Sequence, residues 1–230
     1  MTEISVIILN YKRPNNLKEV ILPSLCNQDP IKQIILSHGL PDTYFYYDHQ
    51  KVQNYSHYLE QKHLGVLRKL GCAHYVNREC VLVLDDDILL NEKSINTLKR
   101  YWENDKSIIH GVFGRKCTHS KYFPANINNG DVPIVGGRAF ICHRSLLVDA
   151  YSDAYIIDDI QHDFPVVWNG EDIYLSLYSM ARNNRLNRVY NNIQYSELPA
   201  NDAISQIEGH YEHRDKVVEK CFERLVGFRN

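Results

Sequence analysis

The chain has 230 residues, 44% hydrophobic and 23% charged. That is enough for one sizeable α/β domain with its own core, and unlike a disordered or fibrous protein. A formal net charge of −2 provides no basic field, which argues against nucleic acid or an anionic membrane as partner.

Ile4 to Leu9 is a short, nearly continuous apolar run rich in β-branched residues, the pattern of a strand buried on both faces. It is too short for a signal peptide or a membrane span. After the polar stretch Asn10 to Asn16, Leu17, Val20, Ile21 and Leu25 recur at helical spacing, and Ile31 to Leu36 reads as a second strand. This is a βαβ opening with a parallel sheet. Pro41 to Gln61 is polar and aromatic without a clear period. Leu64 to Tyr75 reads as a helix and Val81 to Leu84 as a third buried strand, ending in Asp85-Asp86-Asp87. A helix over Ile95 to Trp102 and a strand over Ile108 to Phe113 follow. Lys116 to Asp131 reads as a loop, and Val132 to Val135 and Ala139 to Cys142 as segments flanking Gly136-Gly137. A helix is expected from Ser145, an acidic loop over Asp158 to Phe164, and helices over Glu171 to Arg182 and Asp215 to Leu225. No repeat, linker or composition break divides the chain, so one domain over 1–230 is expected. Cys26, Cys72, Cys80, Cys117, Cys142 and Cys221 form no C-x-x-C pair and several lie in apolar runs. Reduced, buried thiols and a cytoplasmic location are the expectation.

The aspartate triplet is the strongest chemical signal. Open α/β sheets bind ligands at the carboxyl ends of their strands. Three adjacent carboxylates repel one another and need a cation or full solvation. In an extended chain Asp85 and Asp87 point to one side and Asp86 to the other. Such a D-x-D pair suits a hard cation, Mg²⁺ or Mn²⁺, shared with diphosphate oxygens. A solvated acidic turn is the alternative.

Several blocks in order resemble the exostosin-like glycosyltransferases of family 64. They are Asn10-Tyr11-Lys12-Arg13, the VLVLDDDI run from Val81 to Ile88, and Gly111 to Lys116 joined to Gly137-Arg138-Ala139-Phe140. Gly170-Glu171-Asp172-Ile173 and the His210 to Arg214 segment complete the series. Ser37-His38-Gly39 departs from the family's asparagines after strand two. The resemblance implies a GT-A fold, an α/β Rossmann-like domain with a mixed, mostly parallel central sheet flanked by helices. Residues 1–90 would form the nucleotide half and 91–230 the half for donor sugar and acceptor. It implies transfer from a UDP-sugar to a carbohydrate or glycoconjugate, with Mn²⁺ or Mg²⁺ and retention of configuration. Asn10, Tyr11, Arg13, Ser37, Arg68, Asp85 and Asp86 would contact nucleotide, with Lys69 the rival of Arg68. Asp87 would hold the metal. Gly137, Arg138, His210 and Arg214 would face donor sugar and diphosphate, His210 and Arg214 lying just before the last helix. Glu171 and Asp172 would be catalytic. The chain resembles a stand-alone catalytic domain of the kind bacteria or large DNA viruses encode, which would place a viral copy in host cytoplasm. Three rival readings stand beside it. An inverting family-2-type enzyme would use Asp172 as base. A sugar nucleotidyltransferase would need a Gly-rich loop after strand one, and Asn10 to Asn16 has no Gly. A sugar- or nucleotide-binding module would not need both the triplet and the later acidic pair.

Overall fold

A computed structural model describes residues 2–38, 45, 47, 54–59, 68–154, 170–200 and 208–226. The expected acidic loop over Asp158 to Phe164 lies outside them.

The apolar run at the N-terminus forms β1 (Ile4–Asn10), buried at every position. Its side chains divide by alternation: Ile7 and Leu9 enter the core on one face, Ile4, Val6 and Ile8 the core on the other. The chain then turns into α1 (Pro14–Asn16), a π turn (Leu17–Ile21) and α2 (Leu22–Leu25). Leu17, Ile21, Leu22 and Leu25 are wholly buried against β1. β2 (Ile31–His38) returns parallel to β1, and β3 (Asn54–Leu59) adds a further parallel strand outside it. β3 was not expected, because Asn-Tyr-Ser-His-Tyr-Leu carries no strong apolar alternation.

The helix expected over Leu64 to Tyr75 is described from Arg68 onward. It is α3 (Arg68–Gly71) followed by a 3₁₀ turn (Cys72–Tyr75). β4 (Cys80–Leu84) pairs parallel to the other side of β1, and β5 (Ile88–Leu90) follows the triplet. α3's Leu70 and β4's Val81 and Val83 share one core, while Cys80, Leu82 and Leu84 enter the other. Both faces of the sheet centre are therefore dry, as parallel strands require. α4 (Glu92–Asn104) starts at Asn91, whose side chain accepts the Ser94 N–H, and buries Ile95, Leu98 and Trp102.

The middle of the chain differs from expectation. The strand expected over Ile108 to Phe113 shrinks to β6 (His110–Gly111). The stretch expected as a loop, Lys116 to Asp131, holds the end of β7 (Gly114–Cys117), all of β8 (Tyr122–Ile127) and the start of β9 (Gly130–Val132). β7 and β8 form a hairpin completed by β10 (Ile134–Val135) into a three-stranded sheet. From Phe123 to Asn126 β8 is exposed, so its partners are backbone rather than core, and no apolar pattern marks it. β11 (Ala139–His143) runs antiparallel between β4 and β6, and α5 (Arg144–Ser152) begins where His143 accepts the Ser145 N–H. α6 (Glu171–Asn183), β12 (Asn187–Val189), β13 (Tyr195–Glu197) and α7 (His210–Val226) complete the chain. β13 pairs with β5. The central sheet has eight strands in the order β3-β2-β1-β4-β11-β6-β12-β9. Asn187, wholly buried on β12, accepts the Ile109 N–H and donates to Pro133 and Ser176 carbonyls, joining sheet to α6.

α7 starts five residues before the expected helix, with the His213 N–H bonded to the Gly209 carbonyl. His210, His213 and Arg214 thus sit in its first turns, not ahead of it. All six cysteines are free thiols. Among the described residues no helix is long and apolar enough to cross a membrane.

Candidate active site

The carboxyl ends of β1 and β4, the start of β11 and the amino ends of α6 and α7 meet around a cleft of about 530 Å³. Most of the expected site residues line it: Tyr11, Arg13, Asp85, Asp86, Asp87, Gly137, Arg138, Glu171, Asp172, His210 and Arg214. Asn10 and Ser37 do not. Both are wholly buried at the ends of β1 and β2, where Asn10 bonds the His38 ring at 2.9 Å. The side chain of Arg68 lies outside the described part of the structure. Its neighbour Lys69 enters the cleft, as do Phe113, Arg115, Tyr122 and Glu197, four residues outside the site expected from sequence.

The triplet leaves β4 in a turn, so the strand alternation expected for it does not apply. Asp86 turns inward. It accepts the Tyr11 N–H at 3.0 Å and Arg13 Nη1 at 2.5 Å, while Asn16 bonds its carbonyl. That ties the segment after β1 to the triplet. Asp85 pairs with Lys69, whose ammonium also reaches Glu171 at 3.4 Å. Burial outweighs Lys69 and raises the Asp85 pKa; burial likewise raises Glu171. Asp87 meets Arg13 at 3.4 Å and keeps 22% of its side chain exposed. Burial, with Asp85 and Asp86 beside it, pushes its pKa up to about 6. Of the three aspartates, Asp87 carries charge with the weakest compensation.

Across the cleft, Asp172 occupies the first turn of α6. One oxygen accepts Arg214 Nη2 at 2.7 Å and the other the Ile173 N–H at 2.9 Å. Burial favours its neutral form, but Arg214, the Ile173 N–H and Lys69 together hold its pKa below the ordinary range. Arg214 lies over the Tyr122 ring, 4.4 Å from its centre. Burial and Arg214 depress His210 to about 4, so its imidazole is neutral at pH 7. Arg138 pairs with Glu197 and donates to the Tyr195 hydroxyl at 3.2 Å.

Glycines make room between these groups. A Cβ on Gly136 would lie 2.0 Å from the Phe113 ring, so only glycine lets that ring close over the turn. A Cβ on Gly137 would point among Glu171, Asp172 and Asp85 and fill the cleft floor.

Among the described residues no three His, Cys, Asp or Glu side chains converge to hold a metal ion by themselves. A cation at Asp87 would take its remaining ligands from water or from phosphate oxygens, as hard divalent cations commonly do. The looser pairing of Asp87, which has Arg13 only at 3.4 Å, and its place on the cleft wall fit such a cation.

A mostly parallel sheet with an acidic cleft at its strand ends is the architecture of GT-A glycosyltransferases. The structure of GalNAc-T7 with UDP, GalNAc and Mn²⁺ superposes at a TM-score of 0.63. The match covers 95% of this chain and 48% of that one at 10% identity, so this chain spans about half its length and the likeness is one of fold. The chain belongs to glycosyl transferase family 64, whose domain model matches residues 4–229. No curated protein matches the sequence.

Proposed function

We propose that this chain is a glycosyltransferase that moves a sugar from a UDP-sugar to a hydroxyl of a carbohydrate or glycoconjugate, with Mn²⁺ or Mg²⁺ at Asp87 and retention of configuration. The observation that carries the reading is the charge pattern of the triplet. Asp85 and Asp86 each hold a cation in direct hydrogen-bond contact, while Asp87 has only Arg13 at 3.4 Å, is raised to about 6 and lines the cleft. GalNAc-T7, whose structure holds UDP and Mn²⁺, lends support through its shared fold. When bound, the cation supplies Lewis-acid stabilisation of the departing diphosphate.

The chain's own residues supply the rest. Arg13 and Arg214 bring fixed positive charge to the cleft, where a leaving diphosphate develops negative charge. The Tyr11 ring lines the same wall and offers a face to the base. Asp172 has both oxygens engaged and a depressed pKa, which makes it a weak proton acceptor. It suits stabilising an oxocarbenium-like centre better than deprotonating an acceptor. That favours retention, in which the diphosphate takes the acceptor's proton, over inversion with Asp172 as base. The segment after β1 runs from Tyr11 into Pro14 without a glycine, so a nucleotidyltransferase phosphate loop has no counterpart there.

The test is UDP affinity with Mn²⁺ and with EDTA. Wild type should bind at least tenfold tighter, as an order of magnitude, with Mn²⁺. Asp87→Asn should lose most of that difference. Equal wild-type affinities in the two buffers would remove the cation from the reading.

A further inference from the structure

α7 carries a second acid directly after Arg214. Asp215 accepts the Tyr122 N–H at 2.7 Å with one oxygen and Lys121 Nζ at 2.6 Å with the other. Tyr122 opens β8 and Lys121 directly precedes it, so one carboxylate clamps the β7–β8 hairpin to the helix. The Lys121 contact is exposed and weak. The bond to the backbone of Tyr122 is part-buried and directional. Tyr122 is itself buried, and its hydroxyl accepts Arg115 Nε at 3.1 Å. Its ring is the surface on which Arg214 lies, and Arg214 holds Asp172. Successive helical residues diverge by about 100°, so Arg214 reaches into the cleft while Asp215 reaches the hairpin.

We propose that Asp215 is a positioning residue for sugar transfer: by fixing Tyr122 it sets the seat of Arg214 and hence the aim of Asp172. The inference rests on the function proposed above. It concerns a residue that does not line the cleft. A carboxylate serving only as a surface tie between hairpin and helix would affect stability and leave chemistry unchanged. A carboxylate that sets geometry acts on the reacting centre, because small misplacements of a catalytic group cost rate steeply.

The experiment measures UDP release by the full chain with Mn²⁺, using UDP-glucose, UDP-galactose, UDP-GlcNAc and UDP-GalNAc as donor probes. Turnover is normalised to folded protein from melting curves. Asp215→Ala should lower kcat by about tenfold and leave donor KM within about twofold. Asp215→Asn keeps a carbonyl oxygen for the Tyr122 N–H and should stay within about threefold of wild type. In an Arg214→Lys background, Asp215→Ala should add little, because both changes disturb one chain of contacts. Full turnover per folded molecule of Asp215→Ala, equal loss in the Ala and Asn variants, or full additivity with Arg214→Lys would each overturn the proposal while leaving the function standing. A wild type that releases UDP from none of the four donors removes the function, and this inference with it.

Discussion

At the scale of single residues, charge compensation decides what each acid can do. Glu171 and Asp172 are neighbours, yet one is held by Lys69 and raised by burial, the other held by Arg214 and depressed. Adjacent acids at a helix start can look like dipole partners in sequence, but here each faces a different cation. Asp172→Asn should keep an oxygen for the Ile173 N–H and strand the buried Arg214 guanidinium. A loss of about 3 kcal/mol in urea unfolding is expected. Turnover per folded molecule should fall by roughly a hundredfold or more, with UDP affinity near wild type. A variant that unfolds early but turns over normally once folded would confine Asp172 to architecture. Lys69 illustrates what the sequence could not reveal. Arg68 and Lys69 are consecutive basic residues on a helix, and only the packing of α3 against the sheet decides which one meets Asp85.

At the scale of elements, two junctions tie α6 and α7 to the rest of the fold. Asn187 satisfies the Ile109 N–H and the Pro133 and Ser176 carbonyls from the sheet interior. Asn187→Ala would leave all three without that partner and should cost about 3 kcal/mol; a loss under about 1 kcal/mol in chemical unfolding would mean the strands close around the gap. The first turns of α7 form the second junction. Burial, Arg214 and His210 depress His213 to about 4 from an ordinary 6.5. The folded state therefore resists protonation, and this contribution, full above pH 6.5, is lost as pH falls towards 4. Wild type should lose on the order of 2–3 kcal/mol from this group over that window. His213→Gln should show a shallower pH slope whatever its absolute stability, and an unchanged slope would assign the loss to other groups. The long, periodic elements were legible: β1, β2, β4, α4 and α6 appear within a few residues of expectation. β3 and the β7–β8 hairpin were not, because backbone pairing at a sheet edge or in a small satellite sheet leaves little trace in apolar pattern. The early start of α7 was missed because its first turn, His-Tyr-Glu-His-Arg, is polar, although it buries His213 and Arg214.

At the scale of the whole molecule, the sheet delivers to one cleft residues far apart in sequence, from Tyr11 to Arg214. The triplet's place at a strand end was readable from the run before it. The consequences of its pairing were not, since they depend on which cations the distant helices bring. Among the described residues, six carboxylates line that cleft, Asp85, Asp86, Asp87, Glu171, Asp172 and Glu197, against five cations, Arg13, Lys69, Arg115, Arg138 and Arg214. Such a surface slightly disfavours a bare diphosphate and attracts a divalent cation. The surplus negative charge of the cleft thereby becomes a rule of sequence in time. Metal should enter before or together with the nucleotide, and UDP-sugar should leave faster than it arrives when metal is scarce. Initial-rate patterns should show Mn²⁺ lowering the apparent donor KM until the metal saturates, with UDP competing with the donor only once metal is present. Free UDP binding equally tightly in EDTA and in Mn²⁺ would mean that the cleft admits its ligands in no fixed order.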